Sequence, residues 1–441
     1  MNVALTKPPT EQPLSELFAA ARSRLPGNGP VADARQAAFD DFARRGLPHR
    51  RIEEWKYTDL RVLLREIAPL APAPDQAALA RAAKAVNSLG IDGTQKFVLV
   101  DGVFAPQLSD MVSLEAGVHV RVLRDILENT GNNARADLLR TNVASDAMIS
   151  LNAALATDGV VIDVAEGAAP GKPIHIVHVA TASGASLVTR SMLKVGKGAR
   201  ATLVESFVAA EGVKSYQTYD SVVICIGEGA ELQHVRLMED ALDAANISTG
   251  VFTIGARARL NTFNLTRGGG VSRYQGFITF AGEGGELSTN GVNLLGGRRH
   301  GDTTLVIDHA VPNCASREVF RSVLEDRAHS VFQGRIIVRP GAQKTDGKMM
   351  TRALLLSEEA EADNKPELEI FADDVTCGHG ATVGALDQSL LFYLRARGLP
   401  EKEAQALLIA AFVGEAIESI VNDDLRAFAV ATAERWLATR G

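Results

Sequence analysis

Cys377 and His379 stand two residues apart in the stretch DDVTCGHGATVG, residues 373–384, with Gly378 between them and Gly380 after them. Both side chains carry ligand chemistry. A thiolate is a soft donor for iron, and a neutral imidazole is a borderline one. In an extended segment, residues two apart project to the same face, so the pair can address one metal ion or cluster. The flanking glycines let backbone or a second chain approach closely. Two ligands do not close a tetrahedral site. No other Cys/His cluster lies nearby in sequence, so further ligands must come from distant segments or from another subunit. A packed thiol and a hydrogen-bonded imidazole in a turn would leave the same spacing, and at this point both readings stand.

Other familiar machinery is missing. The chain contains no HExxH, no GxSxG and no CxxC. The segment GAQKTDGK resembles the end of a phosphate-binding loop. It fails that pattern because Gln343 and Val338 occupy the two required glycine positions, so no ATP site is expected. A sugar-processing β enzyme would set acidic residues beside aromatic platforms. The two tryptophans, Trp55 and Trp436, both lie outside the strand-rich region, which counts against that class. A net charge of −7 gives no electrostatic case for nucleic acid. The longest apolar run, ALLIAAFVG, is too short to cross a bilayer, so no membrane span is expected. Three cysteines, Cys225, Cys314 and Cys377, are odd in number and far apart. Free thiols, together with an N-terminus lacking a signal-like apolar core, lead to the expectation of a cytoplasmic protein.

Three regions must position the pair. Residues 1–92 read as helical: LSELFAAARSRL and ADARQAAFDDFARRG carry apolar residues at three- and four-residue spacing. Between the helical stretches lies HRRIEEWKYTDLRVL, whose Trp55 reads as packing for a small helical cap. Residues 93–384 are short runs of Val, Ile, Leu and Thr punctuated by glycine. Within them VGKGARATL, IGEGAELQH, IGARARLNT and FAGEGGELS repeat, with Ala199, Ala230, Ala258 and Gly285 equivalent at spacings of 31, 28 and 27. A period near thirty made of strands and tight turns predicts a parallel β-helix that buries its inner residues coil against coil. An antiparallel sandwich would favour more closely spaced hairpin turns. Residues 385–441 return to helix, with Gly398 as a C-cap, Pro400 opening the next helix and Asn422 starting the last. The middle helix is read with Ala404, Leu407, Leu408, Ala411 and Phe412 on one apolar stripe, which Glu415 interrupts.

Long segments resemble the SufB/SufD family of iron–sulfur cluster assembly proteins. They are EEWKYTDL, KFVLVDGVFAPQLS, SLNAALATDGVVIDV, DHAVPNCASREVF, and the stretch from SVFQGRIIV through CGHGATVG to LFYLRARGL. The resemblance runs from about Arg51 nearly to the end. The histidine after the cysteine and the scarcity of other cysteines resemble the SufD branch more than the SufB branch. Gly378 departs from the serine common in the family and leaves both candidate ligands in place. The resemblance implies a mainly β fold, a right-handed parallel β-helix core between N- and C-terminal helical domains. It implies a non-enzymatic scaffold in a SufBCD complex, paired with SufB through the β-helix core. The SufC ATPase would dock on the C-terminal helices and supply the ATP hydrolysis this chain lacks. A transient Fe–S cluster would form at the SufB interface, with His379 and Cys377 as site residues and metal ligands shared with the partner. Flavin in the complex, a homodimer in isolation, and the role of Cys377 as ligand, sulfur relay or packed thiol are left open. Two other classes remain in view: a structural adaptor without ligands, and a carbohydrate-active β-helix enzyme.

Overall fold

The computed structural model describes residues 14–129, 133–139 and 146–439. Its strands, in chain order, are β1 (Gln95–Val100), β2 (Val103–Phe104), β3 (Val118–Val122), β4 (Val160–Val164), β5 (Ile174–Ala180), β6 (Ser186–Val195), β7 (Arg200–Ala209), β8 (Gln217–Ile226), β9 (Glu231–Glu239), β10 (Ala245–Ile254), β11 (Arg259–Thr266), β12 (Val271–Phe280), β13 (Glu286–Leu295), β14 (His300–His309), β15 (Ala315–Leu324), β16 (His329–Val338), β17 (Asp346–Leu355), β18 (Glu361–Ile370) and β19 (Thr376–Gly384). From β4 onward consecutive strands fall into two sheets alternately, and each strand pairs in parallel with the strand two places on. The result is a parallel β-solenoid of about eight turns, as the glycine-punctuated repeat predicts.

The repeat residues explain why the coils stack. Arg200, Glu231, Arg259 and Glu286 are direct partners across successive coils, each following one of the four equivalent positions. Ala199, Ala230 and Ala258 each accept a hydrogen bond from the next coil, through Glu231, Arg259 and Glu286 respectively, at 2.9 Å. The three alanines are fully buried. A larger side chain would have to displace the coil above or below, so the small residue is required by the stacking.

Side chains that alternate inward fill the solenoid in two halves. Where the end of one strand turns into the next, the interior is apolar: Leu203, Val222, Ile224, Phe252, Leu260 and Ile278 belong to one continuous cluster. Toward the opposite turn the inward positions of the early coils become polar and include His178, Glu205, Asp220 and Arg236, all buried.

Nine helices flank the coils among the described residues: α1 (Leu14–Arg22), α2 (Pro30–Arg45), α3 (Leu60–Leu63), α4 (Gln76–Asn87), α5 (Leu123–Glu128), α6 (Ala147–Leu155), α7 (Gln388–Ala396), α8 (Glu401–Ile417) and α9 (Asp423–Ala438). Helices α5 and α6 interrupt the early strands. Trp55 is buried in a cluster with Phe18, Phe39, Phe42 and residues of α6, as its packing role requires. Its indole N–H donates to Asp146 at 2.8 Å. The Arg273 guanidinium lies 3.8 Å over its ring, pairs with Asp302, and donates to the Glu54 carbonyl at 2.7 Å. The EEW segment is therefore clamped to β12 and β14.

The C-terminal helices differ from expectation in one respect. Helix α8 lays Ile409, Val413, Ala416 and Ile417 against Val235, Phe263, Val292 and Val323 of the sheet. The stripe read from the sequence is mostly the other face, and Leu407 is 51% exposed. The helix is apolar nearly all round, so periodicity alone cannot say which face the sheet takes. Glu415, which interrupts that stripe, is exposed and anchored from one side. It bonds the buried Arg321 of β15 at 2.5 Å. Asn422 caps α9 through its side chain, accepting from the Leu425 N–H.

Arg273→Ala removes the one guanidinium that pairs with buried Asp302. We expect a loss of about 3–5 kcal/mol, the usual penalty for leaving a buried charge unpaired. Denaturant unfolding reads the loss, and limited proteolysis should find new cleavage between residues 46 and 66 before the solenoid opens.

Candidate functional site

The two ends of the solenoid are built differently. At the first coil the sheets end in short antiparallel strands, β2 on β1 and β3 on β4. At the last coil, among the described residues, β18 pairs only with β16, and β19 only with β17. One rank of backbone N–H and C=O groups on each terminal strand is thus open, a ready template for another strand. Pro366 sits in the middle of β18, where an edge strand tolerates its missing N–H. Apolar side chains come to the surface here: Ile370, Phe371 and Val383 are 42%, 59% and 47% exposed.

Cys377 and His379 lie on β19, on this open edge. Register carries them onto one face. Cys377 continues the row Ser316–Gly347, and His379 continues the row Glu318–Met349. Gly347 and Met349 are buried, so both candidate residues continue inward-facing rows at the point where the interior runs out. Cys377 is half-buried and packs on the cluster of Phe320, Phe332, Ile336 and Met349. His379 is exposed. Across the opening, Thr351 donates to Asn364 Oδ1 of β18 at 2.9 Å. A Cβ on Gly378 would meet nothing within 4 Å, so a small side chain would fit there. A Cβ on Gly380 would lie 2.5 Å from the Met350 methyl, so glycine makes room for that thioether.

The other two cysteines do not join the site. Cys314 is buried before β15, with its Sγ directed at the carbonyls of Gly282 and Pro312. Cys225 is exposed on β8.

Burial pushes the Cys377 thiol up, and the negative charge of Asp346 adds to the effect, against a hydrogen bond from the Gly347 N–H. The thiol therefore keeps its proton near neutral pH until a cation or metal stabilises the thiolate. Glu318 is a residue that the sequence reading missed. It is fully buried in the row that ends in His379, and neither carboxylate oxygen has a hydrogen-bond partner of good geometry. Burial pushes its carboxyl up to about 8, with Ser316 and Arg317 opposing only in part. The signal was present in ASREVF, where Glu318 shares its parity with Phe320 and so must point inward.

A carboxyl raised to about 8 in the folded chain binds a proton that the unfolded chain has released above about pH 4.5. Its contribution is complete below pH 4.5 and is lost as pH rises toward 8. Glu318→Gln removes that dependence. Thermal unfolding from pH 5 to pH 8 should show the wild type losing ground steadily to the variant, by about 1–3 kcal/mol in total. Parallel curves would remove Glu318 from the account.

The chain matches known proteins along most of its length. Residues 178–412 match the family described as SUF system FeS cluster assembly, SufBD core domain, and residues 9–176 match the SufBD protein N-terminal region. The iron–sulfur cluster assembly protein SufD of Escherichia coli (strain K12) is 31% identical over 403 residues, covering 89% of each chain. A SufBD family protein of Synechocystis is 29% identical over 88% of this chain and 87% of its own. The chloroplastic protein ABCI7 of Arabidopsis thaliana is 25% identical over 90% of this chain and 84% of its own. With both regions matched and the solenoid in place, this chain belongs to the SufBD family of iron–sulfur cluster assembly proteins.

Proposed function

We propose that this chain is a non-enzymatic scaffold subunit of the Suf system that pairs with SufB through its open solenoid end and offers His379 and Cys377 to a cluster completed by that partner. The observation that carries the reading is the conjunction at β19: an unpaired edge, an exposed apolar rim, and two iron-ligand side chains on the final inward-facing rows. A partner strand added to β18 or β19 gains main-chain hydrogen bonds, and the rim supplies apolar burial. The nascent cluster is cargo. Its remaining ligands come from the partner, because two ligands do not close a site. Two copies of this chain can meet through the same end when SufB is absent.

SufC docks, in this reading, on the outward face of the C-terminal helices. Leu390, Phe392 and Tyr393 on α7 and Leu407 on α8 are all more than half exposed. A cleft of about 600 Å³ between α8 and α9 opens beside Leu407, lined also by Leu399 and Leu437. The inner faces of α8 and α9 are committed to the sheet, so the ATPase meets the outer face only.

A second reading, a structural adaptor without ligands, draws on Cys377. A half-buried thiol whose proton is held by burial suits packing as well as ligation. The two readings separate at His379.

His379→Ala should leave folding and assembly with SufB and SufC intact, because an exposed side chain carries little packing. Anaerobic reconstitution of the complex, read by visible absorption, should then show cluster formation falling at least tenfold. Full reconstitution would assign the chain to the adaptor class. Phe392→Asp should weaken SufC binding by tenfold or more, about 1.4 kcal/mol, while the unfolding midpoint stays put, since the ring is 74% exposed. Normal SufC affinity in that variant would move the docking face elsewhere.

A further inference from the structure

The polar half of the early coils holds an arrangement that cluster assembly at the open end does not use. His178 on β5, Glu205 on β7 and Asp220 on β8 all point into the solenoid and are 4%, 0% and 2% exposed. Each brings one ligating atom within 4.8 Å of the others. Each also has one atom without a hydrogen-bond partner: His178 Nε2, Glu205 Oε1 and Asp220 Oδ2. Buried polar atoms are rarely left unmatched, and three in one cluster call for a common occupant.

The other atom of each residue is already held. Thr189 Oγ1 donates its single proton to Asp220 Oδ1 at 2.6 Å. The same oxygen lies 3.4 Å from His178 Nδ1, and with its proton spent it can only accept. Nδ1 therefore carries the imidazole proton, and Nε2 presents a bare lone pair toward the two carboxylates. A second proton on Nε2 would find no acceptor within hydrogen-bond reach, since its closest approach to Asp220 is 3.9 Å. Glu205 Oε2 accepts from His234 Nε2 at 2.5 Å and from Arg236 Nε at 3.2 Å. Phe207 stacks on the His178 ring at 4.4 Å between centroids and fixes its plane. Ligands oriented from behind by hydrogen bonds are the usual construction around a metal.

Three acceptors then lie together, two of them carboxylates, with one guanidinium, Arg236, held by Glu205 and itself left with an unpartnered Nη2. A water molecule has two protons to donate and would leave one acceptor unmatched and the charge unchanged. A divalent cation answers all three acceptors and the charge. One imidazole nitrogen with two carboxylate oxygens is a borderline set, suited to Zn(II), Fe(II) or Mn(II). Calcium and magnesium want more oxygen ligands, and copper(I) wants sulfur.

We infer that His178, Glu205 and Asp220 form an internal binding site for one borderline divalent first-row metal ion, enclosed between the first coils of the solenoid. The site is separate from Cys377 and His379. From β7 to β19 there are six inter-strand steps of roughly 4.8 Å, so about 29 Å lies between them. Because the ligands are enclosed, the ion enters as the coils wind and leaves slowly.

The test is elemental analysis of the full chain, expressed in medium supplemented with zinc, iron and manganese and gel-filtered in EDTA. About one divalent ion per chain is expected, and which element is retained identifies the metal. Asp220→Asn and His178→Gln, both close in shape, should each lower retention at least tenfold. A Cys377→Ser/His379→Ala double variant should keep it. Should the internal variants fail to fold, cobalt(II) carried by the wild type decides. Visible d–d bands without thiolate-to-cobalt charge transfer support the site, and charge-transfer bands place the metal on sulfur and overturn it. A folded wild-type chain that retains less than about a tenth of an ion from supplemented medium overturns the inference. So does retention that survives both internal substitutions.

Discussion

The backbone hydrogen-bond ladder that stacks coil on coil is the constraint from which the rest of the molecule follows. Each coil offers its N–H and C=O groups to the coils above and below, and the register is fixed residue by residue, as in the row Arg200, Glu231, Arg259, Glu286. A ladder of this kind cannot satisfy itself at its ends. The first coil ends in the short antiparallel strands β2 and β3, and the last in the long parallel strands β18 and β19. The edge left by the last coil carries Cys377 and His379.

Stacking also sorts chemistry into rows. A side chain's neighbours above and below are set by register, so a polar residue in one coil is tolerated when the next coil supplies its partner. Thr189 beside Asp220 and Glu205 beside Arg236 are direct partners across one step. Arg259 pairs with both Glu231 and Glu286 on the surface, where such pairs add little to stability and more to register. Glu318 is an exception, a carboxyl between Thr289 and Met349 whose proton is held by burial.

Much of this was legible in the sequence. The four repeat residues are spaced as the coils are, because one small residue per coil is needed where the backbones close. The caps at Gly398 and Asn422 were legible for local reasons: Gly398 adopts a positive φ, and Asn422 offers its side chain to the Leu425 N–H. The face of α8 was not legible, because a helix apolar nearly all round leaves the choice to tertiary packing. Nor were the partners of Glu415 and the grouping of His178, Glu205 and Asp220. Those contacts join residues from different elements and coils, and their geometry depends on a register that one sequence does not specify. That Cys377 and His379 share one face was legible because two-residue spacing in a strand is local. The edge they lie on is a property of the assembled sheets.

The claim that the open end is the docking edge is tested most directly by hydrogen–deuterium exchange at residues 361–384, comparing the isolated chain with the chain bound to SufB. Slowed exchange in β18 and β19 on binding, with the first coils unchanged, is the predicted result. Unchanged exchange at those two strands in a stable complex, with protection appearing elsewhere on the surface, would contradict it.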